Sequence, residues 1–162
     1  MKTIIATLLL AAAALSANAQ KIVVKNDLIT LDGQPYARFE RGETEEYYIS
    51  SLQNERLFMV RPLWLQDPAG SLSYLQFIFT ASHKVVETPR PVPGAFDILP
   101  PEKLARLIYS ARLLKDGALD PKAVADFKTN YGAPYSARRE ALNQPLMQPT
   151  VVVPPAVVPP TH

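Results

Sequence analysis

The chain has no cysteine among its 162 residues. This absence excludes disulfide bonds, thiolate metal sites and the lipid-modified cysteine that anchors a bacterial lipoprotein. Many small exported domains use disulfides to compensate for a thin hydrophobic core. A domain of this sequence therefore has to fold through packing alone.

Histidine is nearly as scarce, since the chain has only two, His83 and His162. His162 is the last residue, and His83 lies in "TASHKVV", a segment that predicts a turn between two strands. Serine and cysteine nucleophiles need a base that is held by an orienting partner, and the usual zinc and iron sites need several nitrogen or sulfur ligands. We therefore expect no cofactor and no metal, and we interpret His83 as a solvated turn residue.

The distribution of the glycines and the net charge argue against two further classes of function, phosphate binding and nucleic-acid binding. The six glycines are not clustered, so the phosphate-binding glycine motifs are absent from the sequence. Seventeen Lys and Arg residues against fifteen Asp and Glu residues give a formal net charge of +2. A chain so close to neutrality offers no electrostatic reason to expect nucleic acid or an acidic membrane surface as its partner.

The N-terminus has the three parts of a secretory signal peptide. Lys2 supplies a positive charge, Ile4–Leu15 is an apolar run, and Ala17 and Ala19 place small side chains before the cleavage position. The alternative, a membrane anchor, needs roughly 20 apolar residues, and this run is shorter. We predict a signal peptide over residues 1–19 that is removed before Gln20. The mature protein would then be periplasmic or extracellular, without a transmembrane or lipid anchor.

The C-terminus ends in "PTVVVPPAVVPPTH". Proline fixes φ and has no amide hydrogen, so a helix or a central strand is excluded there, and an extended or polyproline II chain is expected. The segment is also too short and too rich in proline to span a bilayer. We predict a disordered tail over residues 144–162, with a docking peptide for an aromatic groove as the alternative.

Residues 20–143 are predicted to form a single α+β domain, and its first part, about residues 21–88, reads as an antiparallel meander of five or six strands. Asp32-Gly33 between two apolar stretches is a strong hairpin signal, because this turn needs positive φ. Pro35 favours an edge position, and Pro62 favours a bulge or the end of regular pairing.

Two or three helices are predicted over about residues 101–143, packed on one face of the sheet. Pro101 suits the first position of a helix, and a stripe from Leu104 to Leu114 has helical spacing. Gly117 is expected to end this helix. Asp120 is expected to cap a second helix that ends at Gly132, and Ser136 is expected to cap a third.

Carboxylates are the remaining candidates for catalysis. Glu43 and Glu45 in "ERGETEE", together with Asp97, could in principle act as the acid and base of a glycan-active hydrolase. The spacing of the glutamates is that of a solvated hairpin loop. The loop also lacks the ladder of oxygen ligands found in an EF-hand. The pattern therefore favours a solvated loop.

Aromatic side chains are the candidates for binding. Tyr47, Tyr48, Trp64 and Tyr74 could stack on a sugar ring or anchor a partner, because they combine a large apolar area with a polar tip. Interior packing is the default for strand aromatics. Adjacent Tyr47 and Tyr48 must point to opposite faces, so one of them can lie on a solvated face.

The combination of an Ala-Gln cleavage junction, "DGQPYARFE", "YYISSLQNERLFMV" and a helical second half resembles small exported proteins of unknown function from Bacteroidota. The resemblance covers roughly residues 20–131. It implies a location in the cell envelope and contributes no catalytic residues.

The sequence thus favours a non-enzymatic interaction or structural module of the envelope, whose partner is an envelope protein or a glycan. Two alternatives stay open. One is a small glycan-active hydrolase that uses carboxylates, and the other is a carbohydrate- or lipid-binding module that uses exposed aromatics. The oligomeric state is open as well.

Overall fold

The computed structural model describes residues 20–91 and 99–143. The predicted signal peptide, with Ala17 and Ala19, and the predicted tail lie outside this part, whereas Gln20 is its first residue. The described chain is α+β, as predicted, with a seven-stranded antiparallel sheet followed by three helices. The strands of this sheet are β1 (Ile22–Lys25), β2 (Leu28–Leu31), β3 (Gln34–Arg41), β4 (Tyr47–Ser50), β5 (Arg56–Asp67), β6 (Gly70–Phe79) and β7 (Val85–Pro89). Then follow α1 (Pro101–Ser110), a ribbon of β8 (Leu114–Lys115) and β9 (Ala118–Leu119), α2 (Pro121–Tyr131) and α3 (Tyr135–Asn143).

Each strand of the meander pairs with the next one in the chain. The predicted hairpin at Asp32-Gly33 is confirmed, with φ values of 50° and 83°. Asn26 and Asp27 form a second turn of the same kind, with φ values of 50° and 58°. The short β-branched runs on the two sides of this turn are separate strands, so the sheet has seven strands rather than five or six.

Pro35 and Pro62 lie where one side of their strand has no ladder partner. Pro35 belongs to the part of β3 that pairs with β2 only, because the pairing of β3 with β4 begins at Arg38. Pro62 follows Val60, the last residue of β5 that pairs with β4, while the pairing with β6 continues through it. Both positions suit a residue that cannot donate a backbone hydrogen bond.

The main core lies on one side of the sheet, which we call the inner face. Tyr47, Val60, Phe77 and Val86 oppose one another across β4 to β7, and all four are buried. Helices α1 and α2 cover this face, and the ring of Phe127 lies edge-on to Phe77, with centroids 4.9 Å apart. Helices α1 and α2 therefore pack on the sheet as predicted, through buried residues such as Leu104 and Val124.

Helix α3 packs on the opposite side, which we call the outer face. Its first residue, Tyr135, stacks on Tyr74, with ring centroids 4.7 Å apart. Tyr74 and Phe77 are three residues apart in one strand, so their side chains point to opposite faces. The prediction that all helices lie on one face is correct for α1 and α2 and wrong for α3.

The predicted signal is correct at the start of α2 and wrong at the end of α1. Asp120 caps α2 as predicted, because its Oδ1 accepts hydrogen bonds from the amides of Lys122 (2.8 Å) and Ala123 (3.3 Å). Helix α1, however, ends at Ser110, well before Gly117. Asp116 and Gly117, with φ values of 52° and 77°, instead form the turn of the β8–β9 ribbon.

Candidate functional site

Within residues 20–91 and 99–143, a cleft of about 250 Å³ lies on the outer face over β3 and β4. Helix α3 contacts β5, whereas Arg38 and Glu40 on β3 remain exposed. The floor of the cleft comes from neighbouring strands, since Arg38 opposes Ser50 and Glu40 opposes Tyr48 in the ladder. We call this site the outer-face cleft, and its lining includes Asp27, Arg38, Tyr48, Ser50, Asn54 and Arg56.

Two hairpin turns form the ends of the outer-face cleft. The carbonyl of Asp27 accepts a hydrogen bond from the amide of Phe39 (2.9 Å), which fixes the β1–β2 turn against β3. In the β4–β5 turn, the hydroxyl of Ser51 accepts hydrogen bonds from the amides of Gln53 and Glu55, both at 3.2 Å. Asp27 and Asn54 have φ values of 58° and 67°. These hydrogen bonds and the turn geometry fix the backbone that carries the side chains of Asp27 and Asn54 at the cleft.

The centre of the cleft is an aromatic ring held by charged groups. The guanidinium carbon of Arg56 lies 4.1 Å from the centroid of the Tyr48 ring, a cation–π contact. Arg56 also lies 3.7 Å from the carboxylate of Glu40. The hydroxyl of Tyr48 donates to Glu46 Oε2 at 3.1 Å, and this hydrogen bond raises the pKa of Tyr48. The phenol therefore stays neutral at physiological pH.

The four aromatic residues singled out from the sequence have different roles. Tyr47 is buried, and its hydroxyl donates to the carbonyl of Leu99 at 3.0 Å. Burial raises its pKa, although Arg41 acts in the opposite direction. Tyr74 is fully buried beneath α3. Both residues are packing residues, so the default interpretation holds for them.

Tyr48 and Trp64 are the two that reach the surface. Trp64 is 42% exposed. The ladder places it on the inner side of the β5–β6 hairpin, because it is four residues beyond Val60 in a regular strand. Tyr48 is half-buried and opposes Met59 on the outer face. The sheet therefore separates Tyr48 from Trp64, and they cannot form one aromatic platform.

A second cleft, of about 420 Å³, lies where the α2–α3 connection crosses β7. Its polar wall is the carboxylate of Glu87, which accepts hydrogen bonds from the side-chain amide of Gln76 (2.8 Å), the backbone amide of Ser136 (2.8 Å) and the hydroxyl of Ser136. Arg61 in turn donates to Gln76 at 2.8 Å. Burial disfavours the charged form of Glu87, but the hydrogen bonds outweigh it and lower the pKa of this carboxyl.

The Glu87 network holds α3 in place. A carboxylate at a helix N-terminus is favourable because backbone amides there have no partner within the helix. The carbonyl of Glu87 also accepts a hydrogen bond from the amide of Ala133 (2.8 Å). Ser136 was expected to cap α3, but it lies inside the first turn, and the acceptor comes from β7. In the sequence, the only indication of this acceptor is Glu87 itself, the single acidic residue in the β-branched segment "KVVET".

The acidic candidates for catalysis that the structure describes both lie in the β3–β4 loop. Glu43 is exposed, and Glu45 is half-buried in the β3–β4 loop with a φ of 65°. Asp97 lies outside the described residues. Within residues 20–91 and 99–143 there is no group of three or more His, Asp or Glu side chains that could hold a metal ion. His83 is exposed in the β6–β7 turn, as predicted.

A third cavity, of about 590 Å³, lies between β3, the end of α1 and the β8–β9 ribbon. Tyr36 and Tyr109 meet there edge-on, with centroids 6.0 Å apart. Burial raises the pKa of Tyr36 to about 12. Its phenol is therefore neutral at physiological pH. The two rings pack against each other beside the β-bulge of β3 and line this cavity.

Comparison with known proteins gives no relative, because no protein-family model, curated protein or solved structure matches the chain. None of the helices among the described residues is long and apolar enough to cross a membrane. The function has to be argued from the site itself.

Proposed function

We propose that the chain is an exported, non-enzymatic binding module of the cell envelope and that it contacts its partner through the outer-face cleft. Export is supported by the signal-peptide pattern of residues 1–19. The observation that carries the proposal is the outer-face cleft, a concave site with a half-buried aromatic and several polar side chains on rigid strands and tied turns.

The arrangement suits binding because the side chains are already held before a partner arrives. Arg56 stacks on Tyr48, and the hydroxyl of Tyr48 is fixed by Glu46. A ligand that meets such a surface loses less side-chain entropy than one that must order it. Binding sites built on strands are also positioned more accurately than sites on loops.

Cosedimentation with envelope fractions of the source cells tests this proposal. The purified mature protein is expected to sediment with the fraction that holds its partner. The double variant Arg38→Ala/Arg56→Ala is expected to lose this cosedimentation. Lys122→Ala with Lys128→Ala removes the same charge from the exposed surface of α2 and is the matched control. Equal sedimentation of both double variants would contradict a role for the cleft.

A further inference from the structure

We propose that the outer-face cleft binds a neutral sugar residue of an envelope glycan. This inference rests on the proposed function and assigns a ligand class to the same site. It follows from three properties of the cleft: the balance of its charges, its mixture of hydrogen-bond donors and acceptors, and its size.

The charges of the cleft balance. Arg38 and Arg56 supply two positive charges, and Asp27 and Glu40 supply two negative charges at the same lining. One pair is in contact, since Arg56 lies 3.7 Å from Glu40. An anionic ligand would meet the two carboxylates, and a cationic ligand would meet the two guanidinium groups. An uncharged ligand is the one that avoids both repulsions.

The polar groups supply donors and acceptors together. Arginine only donates, an ionised carboxylate only accepts, and the amide of Asn54 and the hydroxyl of Ser50 do both. Each hydroxyl group of a sugar also donates and accepts, so neighbouring hydroxyls need this mixture. An apolar peptide side chain would leave these groups without partners, and an unsatisfied polar group is costly.

The size of the cleft is the third property. Its floor contains the half-buried Tyr48, whose ring already contacts the guanidinium of Arg56, so a ligand meets mainly the polar groups around it. The volume of about 250 Å³ is below the roughly 300–1,000 Å³ of pockets that enclose small molecules. The cleft therefore fits one ring of a longer glycan.

Asn54 allows a test that preserves the backbone. Asn54 has a φ of 67°, and glycine adopts this conformation without strain, so Asn54→Gly removes the amide and keeps the turn. Asn26→Gly is the matched control, because Asn26 is an exposed turn residue with a φ of 50° and does not belong to the lining of the outer-face cleft.

The probes are neutral hexasaccharides of glucose, mannose and N-acetylglucosamine, together with a hexagalacturonate as the acidic counterpart, titrated into the mature protein by calorimetry. At least one neutral probe is expected to bind, with the acidic probe weaker. Loss of one hydrogen-bonding group is expected to weaken binding by about tenfold in Asn54→Gly, and Asn26→Gly is expected to bind like wild type.

Each other outcome overturns the inference. Binding of the acidic probe alone would assign the cleft to anions, and equal affinities of Asn54→Gly and Asn26→Gly would place the sugar elsewhere. If no neutral probe binds while the sedimentation test succeeds, the glycan assignment fails and the proposed function stands. If sedimentation fails as well, both fail.

Discussion

The carboxylate of Glu87 on the last strand of the sheet accepts a hydrogen bond from the backbone amide of Ser136, which lies 49 residues further along the chain. This contact connects the edge of the sheet to the start of α3. It places the start of α3 on the outer face beside Tyr74, whereas Tyr48 lies two strands away on β4.

Glu87→Gln tests this connection. The variant replaces a pure acceptor by an amide whose nitrogen would face either the backbone amide of Ser136 or the side-chain amide of Gln76, so at least one donor loses its acceptor. The free energy of unfolding is expected to fall by about 1–3 kcal/mol in urea denaturation. Glu140→Gln, an exposed change on α3, is expected to stay within about 0.5 kcal/mol of wild type. Similar stabilities of the two variants would show that Glu87 does not anchor α3.

The pH dependence of stability follows from the same carboxyl. Its folded-state pKa lies below the ordinary value of 4.5, so the unfolded state binds the proton more readily. The contribution of Glu87 is therefore complete above pH 4.5 and is lost as the pH falls from there through the folded-state pKa. Denaturation curves between pH 7 and pH 3 are expected to converge for wild type and Glu87→Gln as the pH falls. A constant difference across this range would contradict the lowered pKa.

Phe127→Ala tests the packing of α2 on the inner face. Phe127 is 1% exposed and meets Phe77 edge-on, and truncation of such a side chain leaves a cavity. The free energy of unfolding is expected to fall by about 3–5 kcal/mol. Tyr131 lies on the same helix but is 43% exposed. Tyr131→Ala is therefore expected to lower the free energy of unfolding clearly less than Phe127→Ala. An equal cost at the two positions would place Phe127 outside the core.

Gly132→Ala tests the end of α2. Gly132 has an ordinary φ of −66°, so glycine is not needed for its backbone conformation. A Cβ at this position would instead collide with the carbonyl oxygen of Lys128. A loss of about 1–3 kcal/mol is expected in thermal or chemical unfolding. Asn130→Ala, an exposed change two residues earlier, should leave stability nearly unchanged, and a neutral Gly132→Ala would contradict the close approach.

Much of the fold could be predicted because its signals are local. Asp32-Gly33 encodes its turn through the need for positive φ, and Asp120 caps α2 with its own side chain. The Asp116-Gly117 turn carries the same signal as Asp32-Gly33. The apolar stripe that continues to Leu114 nevertheless predicts the end of α1 at this turn. Leu114 is indeed buried in the main core, but it belongs to strand β8 rather than to a helix.

The remaining features depend on contacts between distant segments. Tyr48 and Tyr74 are similar strand tyrosines in the sequence, but α3 covers only Tyr74, and nothing near Tyr74 encodes this. The outer-face cleft joins residues from two hairpin turns and three strands. Its aromatic could be selected from the sequence, whereas Arg38, Asn54 and Arg56 become neighbours of Tyr48 only when the meander is assembled.

Site-specific photo-crosslinking in living cells tests the central claim most directly. A photoreactive residue replaces Gln53, an exposed residue beside Asn54 in the turn at one end of the outer-face cleft, or, in the control, Thr129 on the exposed surface of α2. A cleft that binds an envelope partner predicts an ultraviolet-dependent adduct from position 53 and little or none from position 129. Equal adducts from both positions, or an adduct from position 129 alone, would contradict the account.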